Sequence, residues 1–378
     1  MKILFLVYHG FSEFSGISKK IHYQVKGLRE NGHEVHLCYY GFAENGHRCR
    51  YVDDAILTDY GTGKIAGLRQ RMNYDDVYDY CQLNGIEFLY ARSFQNASPF
   101  LIRFFRKLNK IGIKSVTEIP TYPYDHEFDS FPLMGRLGLK VDQRFRNRLS
   151  KEMAAIVTFS DAEQIFGQRT IRISNGVDFD SIPIHQFRAK DDGIHLIGVA
   201  EVHLWHGYDR LITGIGEYYR HTPNPRQVYF HIVGGVHPVD MHKGSAYYRG
   251  FQTIIQEYGI ERHIIFHGQL FGDKLDEVFN QCQFAIGSLA RHRSGITVIK
   301  TLKNREYATR GIPFIYTETD NDFDKQPYVL KAPADESPID VQRILDFIDS
   351  HHFAPLQIRK TVECLTWKIQ MQQVIEQA

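Results

Sequence analysis

The stretch Ala285 to Thr317, AIGSLARHRSGITVIKTLKNREYATRGIPFIYT, decides the fold. Phe284-Ala285-Ile286 is a short apolar run of strand character, and Arg291-His292-Arg293-Ser294-Gly295 is a basic loop behind it. Residues from about Ile296 to Arg310 are compatible with a helix, which Gly311 and Pro313 end, and Phe314-Ile315-Tyr316 reads as a second strand. Strand, loop, helix and strand in this order predict a parallel crossover unit. A loop of this kind leaves backbone N–H groups free at a helix N-terminus, where the orphan donors and the helix dipole favour a phosphate or diphosphate. The expected anion contacts are Arg293, Ser294, Gly295, Ile296, Thr297, Lys300 and Lys303, with Arg291 and Arg305 adding charge. Glu306 lies further along, and a buried carboxylate there is suited to accept two ribose hydroxyls.

Towards the N-terminus a second unit of the same kind precedes this one. Ile194 to Ala200 opens a strand-loop-helix set that runs through His206-Gly207, and Val228 to Val233 is a strand ending in Gly234-Gly235. Ile264-Ile265-Phe266-His267-Gly268 is a strand and turn, and helices are expected at Tyr247 to Tyr258 and Leu275 to Gln281. The first part of the chain repeats the pattern. Lys2 to Tyr8 is an apolar strand, His9 to Gly16 its loop, and Ile21, Val25 and Leu28 mark the buried face of a helix that Asn31-Gly32 stops. Glu34 to Cys38 is the next strand, which makes this a Rossmann-type opening. Gly16 serves the turn and Ser18 caps the helix, or both face an acceptor.

Residues 51–84 read as irregular and polar. Phe88-Leu89-Tyr90 is a strand ending at Arg92, a candidate acceptor contact, because ligands gather beyond the carboxyl ends of parallel strands. Ser115 to Ile119 is another strand, followed by Pro120 to Glu127, a rigid polar segment where a catalytic loop would sit. Glu118, Asp125 and His126 are the candidate acid or base groups, against the plainer reading of a proline-shaped loop with solvated charges. Gly135 to Lys151 reads as a strongly cationic helix, either a solvated face or a peripheral contact through 136–151 with anionic membrane lipid or a lipid-diphosphate acceptor. A strand at Ala155 to Ser160 and Ser174-Asn175-Gly176-Val177-Asp178 close the first half, with Asn-Gly suited to a tight turn of positive φ.

The order of these signals resembles GT-B glycosyltransferases, family 4 in particular, over essentially the whole chain. The family's Glu-Ala-x-Ala-x-Gly-x-Pro-Val-Ile stands here as Glu306-Tyr307-Ala308-Thr309-Arg310-Gly311-Ile312-Pro313-Phe314-Ile315. Its Asn-Gly-Val-Asp stands at 175–178, its Gly-x-Gly at Gly234-Gly235 and its Gly-x-Ser/Thr loop at Gly16-Ile17-Ser18. Val298 occupies the place of a second family glutamate, and His206 that of a donor-gripping lysine. The form LKNREY…GIPFIY looks like a bacterial branch of these enzymes. The resemblance implies two Rossmann-like domains facing each other across a cleft: residues 1–185 for the acceptor, and 190–358 for a nucleoside-diphosphate sugar. A helix at about 360–378 returns to the first domain. It implies a retaining, metal-independent hexosyltransferase acting on a glycan or lipid-linked acceptor in bacterial surface polysaccharide synthesis. Donor contacts fall on His206, Gly234 and the 293–306 segment. A sugar-nucleotide epimerase and a non-catalytic sugar-nucleotide-binding protein remain as other readings of the same fold.

Composition narrows the class. With 378 residues, 43% hydrophobic and 24% charged, the chain suits two globular domains. A net charge of +1 gives no reason to expect nucleic-acid binding. No apolar run approaches the ~20 residues that cross a bilayer, and the apolar start is too short for a secretory signal. Five scattered cysteines without a CxxC pair suit a reducing cytoplasm and offer no metal pattern. The expected location is therefore cytoplasmic, if need be at the inner face of the membrane.

Overall fold

The computed structural model describes residues 1–11, 16–93, 95–125, 133–235 and 250–378, with 133–135 by backbone only. The chain divides into two compact units, Met1–Gly176 with Leu365–Ala378, and Val177–Cys364. The divisions fall some ten residues before the expected linker and a few after the expected return point.

The first unit runs β1 (Lys2–Leu6), α1 (Gly16–Glu30), β2 (Glu34–Phe42), β3 (Arg48–Val52), β4 (Ala55–Asp59), α2 (Gly63–Met72), α3 (Asp75–Leu83), β5 (Phe88–Arg92), α4 (Pro99–Lys110), β6 (Lys114–Ile119), α5 (Leu133–Ser150), β7 (Ala155–Thr158), β8 (Gln164–Ile165) and β9 (Gln168–Arg172). Its strands join in the order β4-β3-β2-β1-β5-β6-β7-β9-β8. The pairs from β2 to β9 are parallel, and β3, β4 and β8 are antiparallel additions at the edges. Central β1 and β5 are buried along their whole length apart from Lys2, as parallel strands covered on both faces must be. Ser98 caps α4 by accepting from the Leu101 N–H, with Pro99 in the first turn, and Leu101, Phe104, Phe105 and Leu108 bury its apolar face.

The segment expected to be irregular, 51–84, instead carries β3, β4, α2 and α3. Its order comes from a polar core. Arg50 is fully buried, paired with Asp76, and ringed by Tyr40, Tyr60 and Tyr74. Composition gives no sign of such packing, because each of these residues alone reads as surface.

The second unit runs β10 (Ile194–Val199), α6 (Tyr208–His221), β11 (Val228–Val233), α7 (Phe251–Tyr258), β12 (Ile264–Gly268), α8 (Asp273–Gln281), β13 (Phe284–Ile286), α9 (Leu302–Arg310), β14 (Phe314–Tyr316), β15 (Val329–Lys331), α10 (Val341–Ser350) and α11 (Pro355–Lys360). The sheet order is β12-β11-β10-β13-β14-β15, and every pair is parallel. The helix expected from Ile296 begins only at Leu302. Ile296, Thr297, Val298 and Ile299 are all β-branched and favour extended backbone. Accordingly, Val298 bridges Thr319, the Thr319 N–H donates to Thr297 O (2.7 Å), and the Ile299 N–H to Thr319 O (3.1 Å).

The chain then returns to the first unit as α12 (Trp367–Gln377), separated from α11 by a short turn and starting some seven residues after the expected helix start at about 360. Trp367 is 3% exposed and sits in the first unit's core with Met371 and Val374. A Cβ on Gly176 would lie 2.4 Å from the Trp367 ring, and one on Gly27 2.7 Å from its backbone. Gly176 is absent from the residues of positive φ. Its glycine is needed for the indole to lie against it, and not for the tight turn expected from Asn-Gly. Helix α5 is less uniformly cationic than its sequence. Asp142 is buried within it, accepting from Tyr124 OH (2.6 Å) and the Ala97 N–H (2.9 Å). No described helix is long and apolar enough to cross a membrane.

Candidate functional site

At the carboxyl ends of β10, β13 and β14, two loops of the second unit are joined through their backbones. The β10–α6 loop ends in a tight turn, Leu204–His206, and Gly207 at φ 61°. The Leu289 N–H donates to His206 O (2.9 Å) and the Ala290 N–H to Trp205 O (3.2 Å). A Cβ on Gly207 would lie 2.7 Å from that of Ala290, so this approach requires glycine.

Arg293 locks the junction. Its guanidinium donates to both Asp209 oxygens (2.9 and 2.7 Å), to Glu336 and to Leu204 O. Two carboxylates therefore consume the charge expected to meet a donor phosphate, and Arg293 acts as a structural clamp. Ser294 Oγ likewise donates to Arg291 O, and Gly295, at φ 68°, closes the turn. Ile296 and Thr297 lie on the extended segment, with Lys300 just ahead of α9, so the helix N-terminus is offered by Thr301 to Asn304 instead of Gly295 to Val298.

Lys303, in the first turn of α9, is the distinctive residue. Its stem is partly exposed, but Nζ is buried and has no hydrogen-bond partner among the described residues. Burial and then the nearby Arg291 charge bring its pKa down to about 7, against the opposing pull of Glu318. Glu318 is 2% exposed. Its Oε1 accepts from Asn304 Nδ2 (3.3 Å), while Oε2 is buried and has no partner among the described residues. Burial raises its pKa in spite of Arg291 and Lys303. Among the described residues, Ser288 Oγ, Thr301 Oγ1 and the Tyr208 hydroxyl are also buried without partners. The Tyr208 ring lies 5.8 Å from Lys303 Nζ, and only a glycine at 198 leaves room for its hydroxyl.

His206 adjoins this group. Its Nδ1 accepts from the His203 N–H (2.9 Å). Burial, then Lys303 and Arg291, hold its pKa well below the usual value, so the ring is neutral with its proton on Nε2. It offers a donor without charge, whereas the resemblance implied a lysine at this place.

Glu306 is about one-third exposed rather than buried. Its Oε1 accepts from Arg310 Nε (3.0 Å) and Nη2 (2.9 Å), and Arg310 in turn pairs with Asp276. No described hydrogen bond occupies Oε2. Glu306 and Lys303 are three residues apart on α9, close on its surface. Gly234, at φ 117°, donates its N–H to Gly268 O (2.6 Å), and a Cβ there would fall 1.8 Å from Ala200 O. The fold itself therefore demands this glycine. Val298 is 44% exposed.

In the first unit, Arg92 ends β5, with Nη1 3.3 Å from His9 Nε2 and Nε 3.5 Å from Glu118 Oε1. Glu118 is 0% exposed. Tyr90 OH (2.5 Å) and Gln24 Nε2 (2.6 Å) donate to its Oε2, and Lys20 Nζ lies 3.2 Å from Oε1. Burial raises its pKa, but Lys20, Arg92 and the two donors lower it further, and the net shift is downward. Glu118, read from the sequence as a candidate acid or base, is thus a buried counter-ion of Lys20 and Arg92, covered by the described residues. Asp125 is held by Arg146 (2.7 and 3.1 Å), and His126 lies outside the described residues. Gly16 begins α1 with open space where a Cβ would go, and Ser18 is buried in its first turn. Sequence reasoning missed Lys20 and Glu318. Each reads as an ordinary surface charge, and only burial singles it out.

Known proteins bear on this geometry. No family model matches the chain, and no curated protein sequence does. Among solved structures, sucrose-phosphate synthase from Thermosynechococcus elongatus is similar over 100% of this chain and 98% of its own, with TM-score 0.63 and 13% identity. The catalytic domain of starch synthase IV from Arabidopsis thaliana, bound to ADP and acarbose, is similar over 99% and 98%, with TM-score 0.63 and 11% identity. UDP-GlcNAc 2-epimerase from Neisseria meningitidis, bound to UDP-GlcNAc, is similar over 100% and 99%, with TM-score 0.52 and 10% identity. The chain has the GT-B fold, and the structures that share it are sugar-nucleotide glycosyltransferases and an epimerase.

Proposed function

We propose that this protein is a retaining glycosyltransferase whose second unit holds a nucleoside-diphosphate sugar and whose first unit holds the hydroxyl of a glycan or lipid-linked acceptor. The observation that carries the reading is the buried, partnerless Lys303 Nζ at the N-terminus of α9. A buried ammonium without a partner costs several kcal/mol. A diphosphate there would supply the missing acceptor, and the helix dipole adds to the attraction.

In the reaction, the bond between the anomeric carbon and the diphosphate oxygen breaks, and the electron pair leaves with the diphosphate. The acceptor oxygen forms the new bond on the same face and gives up its proton to the departing diphosphate oxygen, which has just taken the electron pair. Lys303 and the amides of Thr301 to Asn304 stabilise the charge that grows on the leaving group. His206 Nε2–H donates to a phosphate or sugar oxygen. Glu306 Oε2 accepts from the ribose. Glu318 Oε2, which lacks a donor of its own, accepts from a hydroxyl of the transferred sugar.

A role in surface polysaccharide synthesis at the cytoplasmic face of a bacterial membrane fits this reading. The test is calorimetric titration with UDP, GDP and ADP and their sugars. Lys303→Ala should weaken the bound nucleoside diphosphate by about tenfold to a hundredfold, the loss of one charge-assisted hydrogen bond. Unchanged affinity would remove the assignment. Turnover is assayed in EDTA, since the proposed reaction needs no metal, and incubation with donor alone separates transfer from epimerisation.

A further inference from the structure

A cavity of about 660 Å³ lies wholly within the first unit, beyond the carboxyl ends of β1, β2 and β5 and between α2 and α5. We infer that it seats the hydrocarbon chain of a phosphate-bearing lipid; on the reading above, the acceptor is therefore lipid-linked.

Its floor is aromatic, with Tyr8 set edge-on to Tyr40 and Tyr74 at 6.1 and 6.3 Å. Several polar groups of the lining are spent inside the protein, while Gln95 and Asn96 add polar side chains at the edge. Tyr40 OH donates to Gln70 O and accepts from Arg50, Gln70 Nε2 donates to Cys49 O, and Ser98 caps α4. The ring faces and methyl groups are left for a ligand. At the mouth, Phe42 (65% exposed), Leu68 (57%), Val141 (49%), Phe100 (39%) and Met72 (36%) all line this one cavity. Single exposed apolar residues are ordinary, but five gathered round one opening are the mark of an apolar ligand.

Charge chooses among apolar ligands. Arg48 and Arg71 line the same cavity, and neither has an ion-pair partner among the described residues. Arg48 lies over the Phe42 ring, 4.9 Å from its centroid. Two guanidiniums beside an apolar groove match an anionic head on a hydrocarbon tail, and guanidinium favours phosphate among anions.

The experiment titrates the full chain with farnesyl phosphate, farnesol and inorganic phosphate. Saturable binding of farnesyl phosphate, with farnesol weaker by about tenfold or more and inorganic phosphate weaker still, is expected. Leu68→Asp and Val141→Asp change exposed side chains, so folding and nucleoside-diphosphate binding should stay as they are. Each should weaken farnesyl phosphate by about tenfold or more. Arg71→Glu should weaken farnesyl phosphate but not farnesol. Equal binding of phosphate and alcohol, or variants without effect, would overturn the inference. So would binding confined to phosphatidylglycerol vesicles, which would mark the patch as a bilayer contact only. Nucleotide binding reports separately on the second unit, so failure of the donor reading and failure of this one are distinguishable.

Discussion

Lys303 and Glu118 show how two buried charges can serve opposite ends. Glu118 is surrounded by cations and donors and its pKa falls, whereas Lys303 Nζ has no hydrogen-bond partner among the described residues, and burial with the nearby Arg291 charge takes its pKa down to about 7. The sign for Lys303 follows from linkage. Its folded pKa lies below the unfolded value, so between about pH 7 and 10 the unfolded chain binds the extra proton and the lysine's contribution to stability rises with pH. Lys303→Met should flatten that rise in denaturant titrations of the ligand-free protein and be the more stable form near pH 6. An unaltered slope would mean that the ammonium is solvated. A nucleoside diphosphate should reverse the trend, binding more tightly below pH 7, where the ammonium is already charged. For Glu118, Glu118→Gln leaves Lys20 and Arg92 without their shared counter-ion and should cost about 3 kcal/mol of unfolding free energy. A loss below about 1 kcal/mol would show that these cations find water instead. The pairing is not visible in the sequence, where Lys20 and Glu118 stand ninety-eight residues apart, Lys20 reads as a surface charge and Glu118 as a candidate acid or base.

At the scale of elements, strands and helices with strong periodicity were legible, and those held by polar packing were not. Ile21, Val25 and Leu28 announce α1, and Gly311-Ile312-Pro313 announces the end of α9 and the start of β14. The start of α9 was misplaced because tolerable helix propensity hid a run of four β-branched residues that pair with Thr319. Helices α2 and α3 were missed because Arg50 and Asp76 form a core that hydrophobicity does not report. The small residues around Trp367 carry a sharper lesson. Gly176 read as a turn former, whereas its value is the space it leaves for the indole. Trp367→Ala should therefore cost about 3 kcal/mol or more and loosen α12, seen as faster amide exchange in 367–377 than in α4. Exchange protection in α12 equal to that of the wild type would contradict this docking.

For the whole molecule, the GT-B fold was legible because motifs of modest individual strength recur in order over two α/β units. The donor side was half legible. Lys303 and Glu306, singled out from the motif, are the residues the proposed donor reading rests on; Arg293 was expected to meet a phosphate but is held by two carboxylates, and Glu318 went unnoticed. The first-unit cavity was least legible, because it is assembled from α2, α5 and three strand ends that share no motif. The most direct measurement is a crystal structure of the protein with the tightest-binding nucleoside diphosphate. The account predicts a phosphate oxygen hydrogen-bonded to Lys303 Nζ and the ribose at Glu306 Oε2. Nucleotide bound in the first unit, or bound in the second with Lys303 Nζ still without a partner, would contradict it.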